Sequence, residues 1–158
     1  MTTQQLRFKG ALLERGFWVY VWRVKHKGQK LLYVGRTGDS SSRFAASPFS
    51  RLGRHLDLRP NATANMLVRH LREHYLNPRL CSYFLVAVGP FFPEQKNLQD
   101  HRRIRDRVAL IEANLAQQLK ADDYKVVGSH SVINHPLPRG DVLRYRRALR
   151  SIRAALNS

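Results

Sequence analysis

The chain has 158 residues, 43% of them hydrophobic, and sets 28 lysines and arginines against 11 acidic residues for a formal net charge of +17. That apolar fraction excludes a disordered chain and suffices for one domain over residues 1–158. The charge excess repels itself in a folded state and points to a polyanion as working partner.

Gln5 to Arg15 carries Leu6, Leu12 and Leu13 among charges and predicts a short helix that Gly16 ends. Phe17 to Val24 alternates, with Trp18, Tyr20 and Trp22 on one face and Val19 and Val21 on the other, which predicts a strand. Lys25 to Lys30 is a polar turn containing Gly28, and Leu31 to Gly35 is a second strand, so the two form a hairpin. Thr37 to Ser42 is a loop by composition. Ser47-Pro48 opens a helix through Phe49, Leu52, His55 and Leu56, because serine caps well and proline fits the first helical position. A further helix, capped by Asn61 or Thr63, places Met66, Leu67, His70, Leu71 and Tyr75 at helical spacing before Asn77-Pro78 stops it. Leu80 to Val88 is nearly all apolar and predicts a third, central strand, with Cys81 as a buried strand thiol. The lone cysteine excludes an intramolecular disulfide and a cysteine-rich zinc site.

After a loop at Gly89-Pro90 and Pro93, a long helix from about Leu98 to Leu119 repeats Ile104, Val108, Ile111, Leu115 and Leu119 at helical steps. Tyr124 to Val127 is extended, and Val132 to Pro136 is turn-bound. A last helix, about Arg139 to Leu156, sets Val142, Tyr145, Leu149, Ile152 and Leu156 against a basic face of Arg146, Arg147, Arg150 and Arg153. No apolar run approaches a membrane span, and Met1 to Lys9 is polar. A cytoplasmic location with no membrane partner is the expectation.

Arg51 and His55 are four apart and share a helix face. An arginine can grip a phosphate by two hydrogen bonds, and a histidine one turn away can move a proton or hold a water. The plainer alternative is a solvated basic face. Glu112 sits between Leu110-Ile111 and Ala113-Asn114-Leu115. A carboxylate there is costly unless it is paired, protonated or metal-bound, or unless it faces solvent. Tyr20 and Tyr33, on neighbouring strands, either pack against each other's surroundings or turn hydroxyls towards a groove. The seven histidines match no His-Glu-x-x-His spacing, and neither a glycine-rich phosphate loop nor a Gly-x-Ser-x-Gly elbow occurs.

Taken in order, Trp18-Val19-Tyr20, Tyr33-Val34-Gly35, Arg51-Leu52-Gly53-Arg54-His55, Leu110-Ile111-Glu112 and Ile133-Asn134 resemble the motifs of the GIY-YIG nuclease superfamily over about residues 17–136. Trp18 stands where that family has glycine. The loop after Gly35 is longer than in minimal members, so Arg43 lies nearer the usual offset while Arg51 has the helical context and the trailing histidine; Arg51 is preferred. The gap from Glu112 to Asn134 is also longer. The resemblance implies an α/β (α+β) fold with a small three-stranded antiparallel sheet flanked by helices. It implies a metal-dependent DNA endonuclease that hydrolyses phosphodiester bonds. Glu112 would be the sole protein carboxylate on one Mg²⁺ or Mn²⁺, and Arg51 would steady the phosphate. Tyr20 would deprotonate or position the water, helped by Tyr33 and His55, provided a nearby cation lowers the tyrosine pKa. Duplex or branched DNA would meet Arg36, Arg43, Arg54, Asn134, Arg146, Arg147 and Arg150. Specificity would come from loops, homodimerisation or a separate partner. The competing readings are a non-catalytic nucleic-acid-binding protein on the same fold and a scaffold with a merely basic surface.

Overall fold

The hairpin forms where the alternation places it, between β1 (Phe17–His26) and β2 (Gln29–Arg36). Its two-residue turn, Lys27-Gly28, has φ of 45° and 81°, the left-handed pair whose twist matches that of the flanking strands. The computed structural model describes residues 3–39, 42–130 and 136–158. In chain order it continues with α1 (Pro48–His55), α2 (Met66–Glu73), β3 (Ser82–Phe92), α3 (Leu98–Ala121), β4 (Val126–Val127) and α4 (Arg139–Asn157).

The fold is mixed α/β, and among the described residues its sheet has four strands in the order β3-β1-β2-β4 rather than three. β3 and β2 run antiparallel to β1, and the short β4 joins β2 in parallel at Leu32 and Tyr33. The third strand is therefore an edge strand and not the central one. It also runs past the predicted stop at Gly89-Pro90 to Phe92, since proline is tolerated on an edge where no second neighbour needs its N–H. Cys81 precedes this strand, half-buried, with its thiol donating to the Asn77 carbonyl at 3.3 Å.

β1 is covered on both faces, which is why its residues from Phe17 to Trp22 are all buried. Phe17, Val19 and Val21 pack with Leu32 and Val34 against Ile104, Ile111 and Leu115 of α3 and Ile152 of α4. Tyr20, Trp22 and Val24 pack with Leu31 against Leu67 and Leu71 of α2. Fully burying each such aliphatic side chain is worth about 1.5–3 kcal/mol. α4 is fastened to α3 by Asp141, which is wholly buried and takes two hydrogen bonds from Arg107 at 2.9 and 2.8 Å and a third from Arg144 at 3.3 Å.

The predicted N-terminal helix is absent apart from a 3-10 turn at Gly10–Leu13. Leu6 and Leu13 stay largely exposed, so no apolar stripe is buried to hold a short helix together. Tyr75, predicted on the apolar face of α2, lies beyond the helix at φ 58° and is 98% exposed. Trp18 is buried with its ring against Gly89, where an added Cβ would meet the ring at 2.9 Å. Among the described residues, no helix is long and apolar enough to cross a membrane.

Candidate active site

Tyr20 and Tyr33 project from the sheet face that α1 and α2 cover, and α1 brings His55 between them. Ser47 fixes the start of α1 by accepting a hydrogen bond from the Ser50 N–H at 3.2 Å, with Pro48 at the first helical position. His55, the last residue of the helix, is then carried inside at 1% exposure. Its Nε2 lies 2.6 Å from the Tyr20 hydroxyl, and its ring sits 5.3 Å from that of Tyr33. Gly35 makes this arrangement possible. It pairs with Tyr20 across the hairpin, and a Cβ there would stand 2.6 Å from the tyrosine ring.

Arg51, one turn before His55, is ion-paired to Asp39 at 2.7 Å with its side chain 14% exposed, and its charge acts on both tyrosines. Of the two arginines open in the sequence, Arg51 joins this cluster. Arg43 lies outside it, donating to the Lys96 carbonyl at 2.7 Å and stacking on Phe44. Arg51 and the exposed Arg54 line a cleft of about 280 Å³ with Arg15, Asp39 and Ser50.

Burial pushes the Tyr20 hydroxyl well above its ordinary pKa, outweighing the downward pull of Arg51. The cation that the base role requires is present, but desolvation prevails, and Tyr20 keeps its proton while hydrogen-bonded to His55. Tyr33 is pushed up to about 12 by burial and then by the Glu112 charge. His55 is drawn down to about 4 by burial and by the Arg51 charge, so its imidazole is neutral at pH 7. Its Nδ1 is buried with no hydrogen-bond partner among the described residues.

Glu112 reaches the same region from α3. β4 pairs with Leu32 and Tyr33, and among the described residues no strand pairs with the end of β2 beyond them on that side. There the Glu112 carboxylate accepts a hydrogen bond from Arg36 in an ion pair whose side chains are 14% and 22% exposed. Arg36 is thus half-buried and engaged by Glu112. Burial raises the Glu112 carboxyl above the usual range, against the pull of Arg36.

Glu112 also lines a cavity of about 110 Å³ with Tyr33, His70, Gly128 and His130. Its one carboxylate, Glu112, is of the donor type that magnesium and manganese take, one or two at a time with water and phosphate oxygens in the remaining positions, but it is already ion-paired to Arg36. Among the described residues, no group of three His, Cys, Asp or Glu side chains comes together to hold a metal.

Asn134 lies outside the described residues. Arg146, Arg147 and Arg150 are exposed on α4 and make no ion pair among the described residues, whereas Arg153, predicted on the same basic face, is taken up by Asp122 at 2.7 and 2.6 Å. The sequence reading missed Asp39, His70 and His130. His70 and Glu73, three apart on α2, were a usable signal for one of them; nothing local marks Asp39 or His130. Compared with family models, with curated proteins and with solved structures, the chain matches none.

Proposed function

We propose that the protein is a GIY-YIG-type, metal-dependent DNA endonuclease. The observation that carries this reading is the convergence of Tyr20, Tyr33, Arg51 and His55 beside a largely buried carboxylate, Glu112, on a strongly basic chain. Glu112 would hold Mg²⁺ or Mn²⁺, which when bound supplies charge neutralisation at the phosphate and a more acidic water. Arg51 exchanges Asp39 for a phosphate oxygen and stabilises the charge that builds during displacement. The hydrogen-bonded Tyr20–His55 pair fixes the ring of Tyr33, whose hydroxyl orients the attacking water. Arg54 extends the basic cleft along the DNA backbone.

A second reading, a non-catalytic nucleic-acid-binding protein, is favoured by the Arg36–Glu112 pair, in which the carboxylate is already compensated. The two separate on nicking of supercoiled plasmid with and without Mg²⁺ or Mn²⁺, run beside Glu112→Gln. Metal-dependent nicking that the folded variant loses while still binding DNA supports the nuclease. Tight binding by an inert wild type refutes it.

A further inference from the structure

The hydrolysis proposed above needs a group that takes a proton from water, and neither Tyr20 nor His55 is placed for it. The Tyr20 hydroxyl and His55 Nε2 are engaged with each other at 2.6 Å, and the other ring nitrogen of His55, Nδ1, is buried. His130 is also committed, with Nε2 at 3.2 Å from the Val34 carbonyl and Nδ1 buried.

His70 differs. Its Nδ1 is 2.8 Å from the Glu73 carboxylate, three residues along α2. A carboxylate only accepts, so in the neutral ring Nδ1 carries the proton and Nε2 keeps its lone pair. The tilted ring of Tyr33, 5.8 Å away, holds the imidazole from the sheet side. Nε2 faces Gly128, where an added Cβ would stand 3.4 Å from it, on the wall of the cavity that Glu112 also lines. Because residue 128 is glycine, no side chain of its own fills that contact. The cavity, about 110 Å³, has room for a few waters at about 30 Å³ each. A base oriented by a third group and opening on a water-sized space is the arrangement that general-base catalysis requires.

We infer that His70, oriented by Glu73, is the general base of the phosphodiester hydrolysis, an assignment that rests on the nuclease reading. As the water oxygen bonds to phosphorus, its proton passes to Nε2 of His70. The bond from phosphorus to the leaving sugar oxygen breaks with its electron pair, and that oxygen takes a proton from solvent. The charged and titratable groups facing His70 are Glu73 from its own helix, Tyr33 from β2, Glu112 from α3 and His130 after β4. Among the described residues, Glu73 alone is hydrogen-bonded to its ring.

The test compares the full-length wild type with His70→Asn, His70→Gly and Glu73→Gln in plasmid nicking and DNA affinity. In parallel, ¹⁵N NMR of the imidazole shows which ring nitrogen is protonated. Loss of a general base lowers turnover by about a hundredfold or more. We expect that loss in His70→Asn with DNA affinity unchanged, a smaller loss in Glu73→Gln, and partial recovery of His70→Gly by added imidazole. The wild-type ring should be protonated at Nδ1, and Glu73→Gln should mix the two tautomers. An active wild type with His70→Asn within threefold of it overturns this assignment alone, as does a ring protonated at Nε2. A wild type inert on DNA overturns the nuclease reading and this assignment together.

Discussion

Acid should weaken the fold through His55 as pH falls below about 6.5. The imidazole ionises near 6.5 in the unfolded chain but only near 4 in the fold, where burial and Arg51 disfavour its charge. Protons therefore bind the unfolded state more tightly. Stability is fully present above about pH 6.5 and is lost as pH falls towards 4. Linkage over that interval gives about 2 kcal/mol lost through His55 between about pH 8 and about pH 5, approaching about 3 kcal/mol below pH 4. Trp18 and Trp22, both buried, report urea unfolding by fluorescence. His55→Gln keeps an acceptor for Tyr20 and removes the titration, so its stability should fall less with pH by about that amount. His130, also lowered by burial, acts alike in both proteins and cancels from the difference. Equal pH slopes for wild type and variant would refute a neutral, buried His55.

Gly35→Ala places a Cβ at 2.6 Å from the Tyr20 ring, and overpacking of this kind costs about 1–3 kcal/mol. Its thermal or urea midpoint should drop, and an unchanged midpoint would mean that Tyr20 does not stand over the glycine. Reversing the charges of Arg146, Arg147 and Arg150 should weaken DNA binding and flatten its dependence on salt, by a slope of about 3 if each meets one phosphate. Anisotropy titrations across a salt series decide it, and an unchanged slope makes that face solvated surface.

Much of the local structure was legible. Period-two alternation marks β1 and β2, the Lys27-Gly28 turn registers them, and Ser47-Pro48 opens α1, because each is a short-range preference written in neighbouring residues. The misread elements share one cause, a dependence on distant partners. Leu80 to Val88 is as apolar as a central strand, yet it is an edge strand with β1 as its neighbour on one side, and its residues are half-buried or exposed. The leucines near the N-terminus have helical spacing but no surface that buries them, and Tyr75 has the spacing of α2 but falls past its end.

The site divides in the same way. Spacing alone put Arg51 and His55 on one helical face and Glu112 in an apolar helix, and the excess of arginine pointed to a polyanion. Only the tertiary structure decided that Arg51 rather than Arg43 stands beside the tyrosines, that Asp39 and Arg36 hold the two key charges, and that His70 shares a cavity with Glu112. The reason is physical. Helical faces and strand alternation are set by neighbours a few residues apart. Ion pairing, desolvation and the sign of a pKa shift are instead set by whichever charges the packed chain brings within a few ångströms, and those lie up to 76 positions apart for Arg36 and Glu112.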